Sequence, residues 1–226
     1  MKYFKFYFLT IGVIAIDQLV KMLIHFNMPL HSEIPVIGNW FKLHYTLNPG
    51  MAFGLILDWE YGKLFLTLFR LVAMVGIIWY MNFLANRQAP QGLLWCMALI
   101  LGGAVGNVID STFYGVFFPE LIADGATTPW FHGQVIDMFY FDIWKGELPA
   151  WLGGGYTSLF PIFNVADSSI FIGVVTILVF QRKYFSERRL LQQEAEENVT
   201  ENEIISEDNP EISPEETSGN LNQSIS

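Results

Sequence analysis

The feature that most restricts what this chain can fold into is a set of four apolar stretches, at roughly residues 4–25, 63–84, 93–111 and 160–181. Spanning a hydrocarbon core takes about 20 mainly apolar residues. Inside it every backbone N–H and C=O must be paired within the protein, so four helices are the expected solution. Composition agrees: 52% of the residues are hydrophobic and 15% charged, against about 25% charged in a soluble domain. The expected fold class is a mainly α membrane protein with four transmembrane helices.

Lys2 and Lys5 mark the start of the first stretch, Arg87 lies between the second and third, and Arg182, Lys183, Arg188 and Arg189 follow the fourth. The positive-inside rule then puts both termini and the 85–92 loop in the cytoplasm. Residues 26–62 and 112–159 face outward. Within them NWFKLHYTL and QVIDMFYFDIW have the aromatic, alternating character of strands, which predicts a small outward-facing β-rich platform. The formal charge of −10 belongs mostly to the end of the chain, where residues 182–226 hold 4 Lys/Arg against 11 Asp/Glu. Beyond about residue 198 the Glu, Asn, Ser and Pro composition is that of a disordered segment. The first stretch has no A-x-A-like cleavage site and is expected to be a retained span. Cys96 is the single cysteine, so no intramolecular disulfide is possible.

Polar residues interrupt the apolar stretches. Helical rise sets Asp17 roughly 12 Å, Asp167 roughly 10 Å and Asn107 roughly 6 Å from the outer ends of their spans, as one polar pocket in the outer leaflet requires. Asn107 with Asp110 and Asn164 with Asp167 are i,i+3 pairs, and Asp17 with Lys21 is i,i+4, so each pair shares a helix face. Structural roles compete with functional ones. Lys21 can snorkel and neutralise Asp17, and Asp110 can serve a helix end. GGAVGN (102–107) can pack helices through small residues, and NPGMAFG (48–54) can be a plain turn. In the insert 115–133, Phe117, Phe118, Trp130 and Phe131 suit an interfacial flap, with Gly115, Gly125 and Gly133 as flexible points.

The four histidines are scattered and form no H-E-x-x-H pattern, so no metal or other cofactor is expected. Two aspartates sharing a proton are the economical chemistry: one carboxylate activates water while the other donates to a carbonyl. Intramembrane acids also build proton-coupled transporters, which would usually carry repeated halves, and a noncatalytic scaffold is the third reading. Spacing alone does not choose Asp137 over Asp142, which lie on opposite faces of a strand.

Read together, DQLVK, NPGMAFG, GGAVGNVID, QVIDMFYF and FNVADS resemble the signature boxes of the lipoprotein signal peptidase (signal peptidase II) family, over about residues 10 to 180. The resemblance implies an aspartic endopeptidase that removes signal peptides from diacylglyceryl-modified bacterial prolipoproteins. It would reside in the bacterial cytoplasmic (inner) membrane with its active site toward the outer leaflet. It makes residues 1–181 the membrane peptidase domain and 182–226 a cytoplasmic tail. Partners would be those prolipoproteins and membrane lipids, with no nucleic acid, and the chain would act as a monomer. Catalysis is expected at Asp137 and Asp167. Asn107, Asn164, Asp110, Asp17, Lys21, Asn48 and Gly50 would organise the pocket or hold substrate. The family usually has Arg where Ser111 stands here, leaving Arg70 or a residue of an outer segment to supply that charge.

Overall fold

The computed structural model describes residues 4–49, 61–143, 145–147, 156–158, 160–184 and 186. The motif residue Gly50 and the acidic tail beyond 186 lie outside the described residues. Four helices are long and apolar enough to cross a membrane. They are α1 (Phe4–Asn27), α2 (Gly62–Asn86), the run Gln91–Phe117 that starts with α3 (Gln91–Ile109), and α4 (Val165–Tyr184). The chain divides into two compact units, Met1–Val179 and Phe180–Ser226.

The run from Gln91 to Phe117 is the most buried of the four, because three glycines let its neighbours close in. A Cβ on Gly102 would meet Val13 of α1, one on Gly103 would collide with the Ala166 carbonyl oxygen of α4, and one on Gly106 would lie 2.7 Å from Asp17 Oδ2. The GGAVGN box therefore packs helices through small residues. It also sets Asn107, the next residue, between α1 and α4. Toward the other end Phe6, Met81, Leu84, Leu94, Ala98 and Leu101 form an apolar core. α2 turns Phe65, Phe69, Val72, Val75 and Trp79 outward, as a lipid-facing helix does.

Both strand expectations hold. β1 (Glu33–Ile37), β2 (Phe41–Asn48) and β3 (Val135–Phe141) form an antiparallel sheet in that order, and β4 (Lys145–Glu147) pairs with β5 (Tyr156–Ser158). β3 is buried on both faces. Ile136 and Met138 join Ile24, Met28, Tyr45, Tyr114 and Leu121 in a second apolar core. Phe139 and Phe141 instead pack on Phe163, just before α4. Thr46 of β2 sits opposite Asp137, so the sheet carries that carboxylate to the α4 end of the bundle.

Three expectations need correction. α4 begins at Val165 rather than 160, because Asn164 caps it. Asn164 Oδ1 accepts the Asp167 N–H at 2.9 Å, and Asp167 Oδ2 accepts the Asn164 N–H at 3.4 Å. This reciprocal capping puts Asp167 in the first helical turn, not roughly 10 Å along the span. The third span does not stop at 111: it passes through a π-helical turn (Asp110–Tyr114) and on to Phe117. Asp110 is consequently inside a helical run, not at its end. Gly115 and Gly133 are points of close approach rather than hinges. A Cβ on Gly133 would collide with the Asp110 carbonyl oxygen, and one on Gly115 with that of Pro129. The insert is further tied down by Ala123 N–H to His132 O (2.9 Å), Gln134 N–H to Leu121 O (2.8 Å) and the fully buried Leu121.

Candidate active site

Local folding places each polar side chain for an identifiable reason. Asp137 comes from a strand held by its ladder, Asp167 and Asn164 from a capped helix start, Asn107 and Asp110 from the glycine-packed α3 run, and Asp17 and Lys21 from one face of α1. The result is a connected network. Asn164 Nδ2 donates to Asp137 Oδ1 at 2.7 Å and to Asn107 Oδ1 at 3.2 Å, while Asn107 Nδ2 donates to Asp167 Oδ1 at 2.8 Å. Asn48 Nδ2 donates to the other Asp137 oxygen at 3.0 Å. Two asparagine amides thus join two carboxylates, and the pair shares one hydrogen-bonded frame.

The remaining charges form the foundation of this frame. Lys21 Nζ reaches Asp17 Oδ2 at 2.8 Å, Asp110 Oδ2 at 2.6 Å and Asn107 Oδ1 at 3.1 Å, with Lys21, Asp17 and Asp110 all at 0% exposure. Breaking one partner of such a buried cluster strands a charge. Asp17 Oδ1 also accepts the Ala166 N–H at 2.8 Å, fastening α1 to the start of α4. The snorkelling alternative for Lys21 is excluded by its burial. Asp17 and Lys21 therefore act on the site through Asn107 and α4.

The two carboxylates sit in unlike surroundings. Asp137 is 1% exposed, whereas Asp167 is half-buried at the mouth of the helix turn. Burial first, and the neighbouring Asp167 carboxylate second, push Asp137 up from the ordinary 3.8 to about 7. Burial and the neighbouring charge thus favour the protonated form of Asp137 up to about pH 7. Asp142 does not join them: it lies past the end of β3, paired with Lys42 at 2.8 Å.

Gln18 and Tyr114 escape the sequence reading, and the partner of Arg70 is supplied only by the fold. Gln18 donates to Asp110 Oδ1 at 2.8 Å and Asp17 Oδ2 at 3.2 Å, and Tyr114 Oη donates to Gln18 Oε1 at 3.0 Å. Gln18 is itself a polar residue in an apolar helix, a signal hidden by its neighbour Asp17. Arg70 Nη1 of α2 donates to Ser111 Oγ at 2.9 Å, and its charge interacts with Asp167, Asp110 and Asp137. The guanidinium missing from position 111 is thus supplied beside it by α2. Among the described residues no three His, Cys, Asp or Glu side chains converge as a metal centre would need.

Four helices long enough to span a membrane, around two carboxylates linked through asparagine amides, are the features of a multi-pass membrane protein of aspartic-peptidase type. The family model described as signal peptidase (SPase) II matches residues 9–182. The lipoprotein signal peptidase of Amoebophilus asiaticus is 42% identical over 210 residues, covering 90% of this chain and 88% of that protein. The one from Porphyromonas gingivalis is 40% identical, covering 76% and 80%, and the one from Chlorobaculum parvum 36% identical, covering 81% and 99%. Two solved structures of bacterial membrane enzymes, both 24% identical, share the fold. One has a TM-score of 0.55 over 81% of this chain and 90% of that one, the other 0.56 over 77% and 90%. The chain belongs to the signal peptidase II family, and it is an aspartic peptidase.

Proposed function

We propose that the chain cleaves diacylglyceryl-modified prolipoproteins with Asp137 and Asp167 as its catalytic pair. Family membership makes it a membrane peptidase that removes signal peptides from prolipoproteins; the assignment of residues and of the lipidated precursor is our reading. The observation that carries it is the asparagine link: Asn164 donates to Asp137 at 2.7 Å, and through Asn107 the link reaches Asp167 at 2.8 Å. The link holds the two carboxylates in one frame, and burial together with the Asp167 charge raises Asp137 to about 7, so the pair can hold one proton.

In this reading Asp137 keeps the proton and donates it to the scissile carbonyl oxygen. Asp167, the more exposed of the two, takes a proton from the attacking water as general base. On collapse of the gem-diol intermediate the C–N bond breaks, Asp167 gives its proton to the leaving amine, and one gem-diol hydroxyl returns its proton to Asp137 as the new carboxyl group forms. Asn164, Asn107 and Asn48 orient the carboxylates, Lys21, Asp17 and Asp110 hold the frame, and Gly50 is assigned to the pocket by the family pattern alone.

Residues 1–181 form the membrane peptidase domain and 182–226 a cytoplasmic tail, by the distribution of Lys and Arg around the spans. The same distribution supports residence in the bacterial inner membrane with both termini cytoplasmic and the pair toward the outer leaflet. The chain acts as a monomer on membrane-borne substrate, with no nucleic acid partner. The test is cleavage of purified diacylglyceryl prolipoprotein in lipid or detergent: release of the signal peptide supports the reading, and failure of the folded protein to cleave any lipidated precursor overturns it.

A further inference from the structure

α2 is a mostly outward-facing helix, yet one of its stripes is polar. Lys63, Thr67 and Arg70 follow one another at i, i+4 and i+7, on a single face. Thr67 is buried and its hydroxyl donates to the Phe131 carbonyl at 2.8 Å, while Arg70 donates to Ser111 at 2.9 Å. The stripe therefore faces the π turn and the 115–133 insert. Lys63 lies on it with its Nζ buried and, among the described residues, without a hydrogen-bond partner. Thr112 Oγ1 is buried and unpartnered as well, and the Thr112 carbonyl accepts the Phe131 N–H at 3.2 Å, which ties it to the same neighbourhood.

The charges that act on Lys63 are Arg70 and Asp110. Asp110 is already engaged by Lys21 at 2.6 Å and Gln18 at 2.8 Å, and Arg70 repels. An ammonium has three donors, and leaving all of them unfilled away from water is costly. What would satisfy Lys63 is an anion with several acceptor oxygens, set so that it also faces Arg70.

We propose that Lys63 and Arg70 of this α2 stripe, with the Thr112 hydroxyl, bind the phosphodiester of a lipid headgroup. A phosphate fills the empty donors of Lys63 and offsets the repulsion between two cations on one helix face. Position selects a lipid as its carrier. Lys63 is in the first turn of a membrane-spanning helix, next to the exposed Tyr61, and the exposed Trp130 adjoins Phe131. Tyr and Trp collect at headgroup level. The lipid proposal needs only that the chain span a membrane; the site shares Arg70 with the catalytic frame, and its test therefore rests on Lys63 and on lipid retention.

The test titrates full-length protein in detergent with phosphatidylglycerol, with diacylglycerol of the same acyl chains, and with inorganic phosphate. Thermal stability and retained lipid by native mass spectrometry are the readouts. Phosphatidylglycerol should stabilise the protein and be retained, and diacylglycerol should do neither. Lys63→Met should weaken that binding about tenfold or more, the loss expected for one charge-assisted contact. Lys63→Arg, which keeps the cation, should bind nearly as the parent does. Should Lys63→Met fold poorly, Lys63→Gln gives the same comparison. Equal retention of the two lipids, or undiminished binding by the uncharged variants, overturns the proposal. Stabilisation by inorganic phosphate with no preference for lipid overturns the choice of carrier.

Discussion

Asn164 donates to Asp137 at 2.7 Å with its side-chain amide and caps Asp167 at 2.9 Å with its side-chain oxygen. One residue therefore starts the helix that presents one carboxylate and orients the other. These two duties can be separated. Serine is a good helix cap but too short to bridge, so Asn164→Ser should keep thermal stability within about 1 kcal/mol. The same variant should lose roughly 10²-fold or more in kcat through misplacement of the pair. Thermal unfolding beside single-turnover cleavage checks this; loss of both together would mean that the cap and not the bridge is what matters.

The pH dependence follows from Asp137, pushed up to about 7 by burial and by Asp167. Activity should fall on the alkaline side as pH rises through about 7, where the pair loses its shared proton, and the apparent value belongs to the pair. Stability has the same sign. Between the ordinary 3.8 and about 7 the folded chain holds a proton that the unfolded chain releases, so stability is lost as pH climbs through that window. Asp137→Asn has no such proton to lose. It should therefore gain in melting temperature over the parent at pH 8 and not at pH 4, and equal shifts at both would contradict the assignment.

Arg70 touches Ser111 and acts on Asp137 and Asp167 through its charge, which makes it a positioning residue. Arg70→Met should lower kcat about 10-fold to 100-fold, as loss of one preorganised charge does. It should also move the alkaline limb upward, since a cation opposing protonation is gone; Lys21 and Asp167 remain as the other charges facing Asp137. Adding Ser111→Arg to Arg70→Met should restore much of the rate and return the limb. A purely structural Arg70 would give no shift in the profile and no rescue.

Lys21 is at 0% exposure between Asp17 and Asp110. Lys21→Met leaves two buried carboxylates facing each other, with an expected cost of about 3–5 kcal/mol. Yield of folded protein and melting temperature should drop sharply, and raising the substrate concentration should not recover activity. A stable but inactive Lys21→Met protein would instead give Lys21 a direct part in the chemistry.

Much of this arrangement is legible in the sequence because a bilayer is an exacting solvent. Runs of apolar residues mark the spans, and each polar residue inside them must have a partner, so Asp17, Lys21, Asn107 and Asp110 betray one pocket. What escapes is set by tertiary contact. The start of α4 hides because FPIFNV is as apolar as the helix that follows, and only the capping bonds of Asn164 reveal the boundary. The π turn hides because no residue type demands it; it is stabilised by packing against the insert at Gly115 and Gly133. Arg70 could be suspected from its place in a span, but that it meets Ser111 depends on how α2 packs. The choice of Asp137 over Asp142 needed the family pattern, and in the fold it corresponds to one residue inside the asparagine network and one paired with Lys42.

The most direct test of the catalytic assignment is cleavage of one diacylglyceryl-modified prolipoprotein by purified parent, Asp137→Asn, Asp167→Asn and Asp142→Asn proteins, each shown to be folded. Asparagine keeps the size of the side chain and removes its acid–base function. Each of the first two changes should lower turnover by at least about 10²–10⁴-fold, and the double variant should lose little more, because the two act as a unit. Asp142→Asn should cleave at close to the parent rate. Substantial turnover by folded Asp137→Asn or Asp167→Asn, or abolition by Asp142→Asn alone, would contradict the assignment.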